Sequence, residues 1–236
     1  MILPGDLRLR LAAAFVAVAL WSQLAGLAPA LLAVLLALAL FALARQPLPW
    51  RRLLHLEAFL LLLFVTLPFT IEGHPVLSLG PLDASAEGFA RAFVLAAKVT
   101  ASVLLIALLI GGREPLHLGR ALAGLGLPEP LVRLFIATAR YIGVIGAEAR
   151  RLRDAMRARG FRPRSNLHTW RSYGYLVGML LVRALDRADR VEDAMRLRGF
   201  TGRYPRAPLP APVPADWVGA ALITGAAALT LIWDKL

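Results

Sequence analysis

Pro29–Ala44 is sixteen residues long and holds no charged or hydrogen-bonding side chain. Such a run is stable only in a buried core or in hydrocarbon, and a bilayer span needs roughly 20 apolar residues, with about 17–25 tolerated. Four more stretches share its character: Leu11–Leu27, Leu53–Phe69, Ala92–Ile110 and Trp217–Trp233. They help raise the 236-residue chain to 58% hydrophobic residues, above the roughly 45–50% of a soluble domain. The expectation is an all-α membrane protein with about five transmembrane helices. Ser22, Gln23, Gly26 and Pro29 break the first two stretches, which could instead form a tilted hairpin. Arg8, Arg10 and the small residues around Ala28-Pro29-Ala30 imitate a signal peptide, but a second apolar stretch follows at once, as in uncleaved spans.

The same chain carries a formal charge of +12. Between Arg113 and Arg206 there are nineteen arginines, no lysine and eight acids, a net +11, so the rest of the chain is close to neutral. Lys and Arg are retained in short cytoplasmic loops. Arg8 and Arg10, then Arg45, Arg51 and Arg52, then the arginine-rich window all fall on one side if the spans alternate. The loop Ile71–Ala90 falls on the other, with Glu72, Asp83 and Glu87 and no base. The expected topology has the N-terminus and the arginine-rich window inside and the C-terminus outside. Sorting of positive charge also accounts for the high pI without nucleic acid, since the arginines are interleaved with acids and lack an aromatic platform. Some of them could meet anionic lipid headgroups.

The apolar period inside the window is helical. Leu134, Thr138, Tyr141, Ile145, Ala149, Leu152 and Met156 step by three or four, as do Val177, Leu181, Ala184, Ala188, Val191 and Met195. A helix over Leu131–Ala158 is predicted, about 42 Å long, too charged at its far end to cross a bilayer and so lying on or leaving the membrane. The two helices end alike. Ala149–Phe161 and Ala188–Phe200 agree at nine of thirteen positions, and both finish on Asp-Ala-Met-Arg-x-Arg-Gly-Phe. Gly160 and Gly199 suit the left-handed position that closes a helix, and Arg157, Arg159, Arg196 and Arg198 stand at its negative end. Capping explains the glycine and one arginine. A duplicated eight-residue ending points further, to two helix tips serving a two-fold or pseudo-two-fold partner with acidic grooves, since Arg pairs bidentately with carboxylates.

No cysteine is present, which excludes disulfides and Cys-based metal sites. His74, Glu72 and Asp83 share the outer loop and could touch a divalent cation, although topology alone explains the acids. His55 and Glu57 at the inner end of the third span read as interfacial polar residues. Lys98 lies inside the fourth span, where a charge is costly; snorkelling or pairing between helices is the simpler reading. Gly174-x-x-x-Gly178 invites close helix packing, and Pro205, Pro208, Pro210, Pro212 and Pro214 make a stiff connector. There is no phosphate-binding loop, catalytic triad or HExxH, so no catalytic residue, metal or cofactor is expected and the chain should not hydrolyse ATP itself.

At Ala158-Arg159-Gly160 and Leu197-Arg198-Gly199 the sequence resembles the transmembrane T component of energy-coupling factor (ECF) transporters, with Leu replacing Ala in the second motif. The likeness extends to Leu125-Gly-Leu-Pro-Glu-Pro130, to Arg140-Tyr141-Ile142 and to the stretch Arg183–Arg203. In Leu67-Pro-Phe-Thr-Ile-Glu-Gly-His74 and Leu79-Gly80 it is most similar to the cobalt-type T component. The resemblance implies an inner-membrane scaffold, not an enzyme, working with two ATP-binding cassette subunits and a small substrate-binding membrane subunit in the lipid bilayer. It assigns residues 1–112 to four transmembrane helices, 113–206 to a cytoplasmic coupling domain of long crossing helices, and 207–236 to the connector and last helix. It gives Arg157, Ala158, Arg159, Gly160, Arg196, Leu197, Arg198 and Gly199 the role of meeting the ATPases. A T component for nickel or a vitamin, an intramembrane enzyme and a self-sufficient carrier stay open as alternatives.

Overall fold

The computed structural model describes residues 3–48, 50–71, 73–79, 82–200 and 210–236. Eight helices hold most of them: α1 (Leu7–Ser22), α2 (Leu27–Ala44), α3 (Trp50–Thr70), α4 (Ala86–Leu109), α5 (Pro115–Gly124), α6 (Glu129–Ala158), α7 (Leu167–Leu197) and α8 (Pro214–Lys235). The expected all-α membrane class holds, with one addition. The loop after α3 carries a short antiparallel hairpin, β1 (Pro75–Leu79) and β2 (Leu82–Ser85). The chain divides into two compact units, one of Met1–Ala121 with Ala211–Leu236 and one of Leu122–Pro210.

Among the described residues, four helices are long and apolar enough to cross a membrane: α2, α4, α6 and α8. Three of them cover expected spans. Of the other two expected spans, α1 is a 16-residue helix and the described apolar part of α3 is Leu60–Thr70. By length and composition α6 qualifies as well, because its charge is confined to one end and leaves an apolar window long enough to span.

In the first unit, small residues face inward. Ala13, Ala14 and Ala17 of α1, Ala30, Ala33 and Ala37 of α2, Ala101 of α4 and Ala227 of α8 are all buried. Lipid tails are as apolar as leucine, so helices in a membrane gain from packing only where small side chains let backbones approach. Trp21, Phe41, Leu104, Leu105 and Leu108 are buried with them, while other large side chains point outward: Phe15 is 77% exposed and Leu43 62%. Trp217 and Trp233 are also exposed; sixteen residues of helix put them about 24 Å apart along α8. That spacing suits the two interfacial belts where tryptophan collects.

Helix α8 runs parallel to α1, clamped at both ends by a carboxylate. Asp216, in the first turn of α8, accepts a hydrogen bond from the Gly5 amide at 2.5 Å, just before α1 begins. Asp234, near the far end, accepts from the Ala25 and Gly26 amides at 2.8 and 2.7 Å, between α1 and α2. Lys98 of α4 donates to the Leu24 carbonyl at 2.7 Å, so this lysine ties α4 to the turn between α1 and α2. At the other end, Arg113 lies close enough to Arg10 for the two charges to interact. The starts of α1 and α8 and the end of α4 therefore share one side, as alternating spans require. Asp6 caps α1 by accepting from the Arg8 amide, and the Arg8 guanidinium bonded to it holds its carboxyl below the ordinary carboxylate range.

Helices α3 and α4 come close at Gly88. A methyl group there would stand 2.6 Å from the Pro68 Cα and 2.8 Å from the Leu67 carbonyl oxygen. Ser85 fixes the same point: its hydroxyl donates to the Ile71 carbonyl and accepts from the Gly88 amide. Replacing Gly88→Val should therefore cost about 1–3 kcal/mol by overpacking and lower the thermal midpoint in detergent. Gly225→Val, where a side chain meets open space, should leave it nearly unchanged.

Candidate functional site

The second unit is dominated by two long helices. Helix α6, expected at Leu131–Ala158, runs Glu129–Ala158, with Pro130 in its first turn. Helix α7 starts where Asn166 accepts from the Thr169 amide at 2.9 Å and runs 31 residues. Together they span about 45 Å each at 1.5 Å per residue.

The duplicated ends fold identically. Gly160 and Gly199 take φ of +81° and +75°, a region open to glycine and costly for a residue with a Cβ. The Gly160 amide donates to the Arg157 carbonyl and the Phe161 amide reaches back to Met156, both at 3.0 Å. The second end repeats this with Gly199 to Arg196 and Phe200 to Met195, again at 3.0 Å. This is the paired closure that satisfies the last free carbonyls of a helix. It brings Arg157, Ala158, Arg159 and Gly160 together at one tip and Arg196, Leu197, Arg198 and Gly199 at the other, all exposed. Leu197 is 89% exposed, so the second tip presents a large apolar side chain flanked by two guanidinium groups.

The tips also differ, and the difference starts at one mismatched position. Glu192 stands a turn before Arg196 and pairs with it at 2.5 Å. The equivalent residue before Arg157 is Arg153, a like charge that repels across the same turn. Phe161, after the first glycine, folds back onto α7: its ring meets Tyr173 edge-on at 5.8 Å and His168 at 6.3 Å.

Helices α6 and α7 meet around Glu148. Its carboxylate is 14% exposed, pairs directly with Arg183 of α7, and lies 3.7 Å from Arg151 of its own helix. The sequence signals neither partner, because the pair is thirty-five residues apart and every acid in the window has several arginines to choose from. The expected contact at Gly174 and Gly178 is not formed: both glycines face open space, and the helices meet instead over residues 144–155 and 180–190. Only the lower half of each apolar stripe is covered. Leu134, Val177 and Leu181 are 61–63% exposed.

The possible outer metal site is partly out of view. Glu72 and the Asp83 side chain lie outside the described residues, as do Gly80 and the stretch 201–209 with Pro205 and Pro208. His74 is exposed, and its amide donates to Glu87 at 2.8 Å. Among the described residues no three His, Cys, Asp or Glu side chains are placed to hold a metal.

The family model for CbiQ, cobalt transport protein, matches residues 4–208, which takes in α1 to α7 and leaves α8 outside. The chain belongs to this family. CbiQ proteins are the T components of ECF transporters, so the protein is a multi-pass membrane component of a transport system. No curated protein matches it.

The helix closures can be tested directly. Nothing lies within 4 Å of a Cβ built at Gly160 or Gly199, so Gly→Ala acts through backbone conformation alone. Each substitution should cost about 1–2 kcal/mol of local stability. The readout is faster amide exchange at Phe161 and Phe200, whose N–H groups close the two ends.

Proposed function

We propose that this CbiQ-family chain is the coupling subunit of an ECF-type importer, carrying ATP-driven motion from two cassette ATPases to a small substrate-binding membrane subunit. One observation carries the reading: α6 and α7 end in the same arginine-glycine closure, built twice. A single docking partner requires one such tip. Two nearly equivalent ATPase subunits require two.

In this reading Arg159 and Arg198 sit beside the closing glycines and pair with carboxylates in the ATPase grooves, with Arg157 and Arg196 behind them. Ala158 and Leu197 occupy the apolar floor of each socket. Charge-assisted, bidentate pairing gives such contacts direction as well as strength. The rigid closure at Gly160 and Gly199 keeps the arginines at the very end of a helix, so motion of an ATPase is passed along the axis. The exposed upper faces of α6 and α7, around Leu134, Val177 and Leu181, then remain for the substrate-binding subunit and the lipid. The arginine-rich unit is cytoplasmic because its bases are retained there, and the membrane is the cell's inner one. ATP hydrolysis belongs to the partners, and cobalt is the cargo, selected by the substrate-binding subunit.

Arg159→Glu combined with Arg198→Glu should abolish pull-down of the ATPase pair by the full-length protein, while leaving its insertion in the membrane unchanged. Either change alone should weaken capture by tenfold or more, the loss of one desolvated charge pair being on the order of 2–5 kcal/mol. Normal assembly together with normal cobalt uptake by the double variant sinks the reading.

A further inference from the structure

A groove of about 520 Å³ runs along the crossing of α6 and α7, reaching Ala155 and Arg190 but including no residue of either tip. Arg151, Arg183, Arg187 and Arg190 line it, against the carboxylates of Glu148 and Asp186. Glu148 is already engaged by Arg183 and Arg151. Among the described residues, Arg187 and Arg190 make no ion pair or hydrogen bond. The groove thus holds two guanidinium groups free to receive an anion. Next to it lies an apolar patch of Val144, Ile145, Leu180 and Ala184 around a hollow of only about 10 Å³, which shares Glu148, Arg183 and Arg187 with the charged groove.

A site that is apolar at one end and arginine-lined at the other fits an amphiphile. A free anion leaves the apolar patch wet. A phospholipid satisfies both ends, because its headgroup phosphate accepts the planar fork of arginine bidentately while its acyl chains cover the valine, isoleucine and leucine. We propose that this groove binds an anionic phospholipid, with Arg187 and Arg190 holding the headgroup and Val144, Ile145 and Leu180 against the chains. The site is separate from the ATPase-facing tips and does not depend on their assignment.

The test uses the full-length protein in detergent, loaded from mixed micelles of equal phosphatidylglycerol and phosphatidylcholine and read by native mass spectrometry. Phosphatidylglycerol should be retained in preference. Arg187→Ala with Arg190→Ala should weaken its binding about thirtyfold, the scale expected when two bases leave an anionic lipid surface. Arg162→Ala with Arg164→Ala, an equal loss of charge on the α6–α7 loop, should leave it unchanged. A second readout needs no substitution: phosphatidylglycerol, and neither phosphatidylcholine nor inorganic phosphate, should shield Arg187 and Arg190 from an arginine-selective reagent. Equal loss in both double variants, no shielding, or shielding by inorganic phosphate alone overturns the proposal.

Discussion

Hydrocarbon gives two apolar helices little reason to prefer each other to lipid, so the first unit depends on how closely backbones can approach. That is the work of Ala13, Ala17, Ala33, Ala37, Ala101 and Ala227, and of Gly88, where even a methyl group would press on Pro68. Close approach also brings polar groups within reach of one another. Asp216, Asp234 and Lys98 each reach a backbone group near an end of α1, and together these bonds fix which helices are neighbours and which way they run. Without the alanine faces the distances would be too long for any of them.

The second unit follows a different rule. Its two long helices share little surface, and much of their apolar stripe is open. What joins them is electrostatic: one mostly buried carboxylate, Glu148, held between arginines of both helices. Breaking a pair of this kind leaves a charge poorly solvated, which is far costlier than losing an exposed ion pair. The arginine-rich composition therefore has several parts: one base locks the crossing, others crowd the tips, and two stand free in the groove.

Much of this was legible in the residues. The α6 boundary came within two positions because the three-to-four residue period persists to the glycine, and the closures at Gly160 and Gly199 followed from a left-handed residue after an arginine-rich last turn. The membrane class followed from uncharged runs such as Pro29–Ala44. Pairings across the chain were hidden. Pro75–Leu79 is too short to announce a strand, and an aspartate beside a tryptophan does not say which amide it will meet. Gly174 and Gly178 show the opposite failure: the spacing permits close packing but names no partner, and the helices cross elsewhere. The 16-residue α1, with Arg8 and Arg10 in its first turn, shows why span counting is weakest where charge and apolar residues share one helix.

The crossing at Glu148 and Arg183 has a mechanical consequence. Eleven residues of helix separate Glu148 from Arg159 and fifteen separate Arg183 from Arg198, which makes lever arms of about 16 Å and about 22 Å. Taken as a fulcrum, the ion pair converts a rotation of about 10° into tip displacements of about 3 Å and about 4 Å, from the same helical rise. The arms are unequal, so equal displacements of the two tips turn the two helices through different angles. Matched tips on mismatched levers convert a symmetric displacement into a net twist.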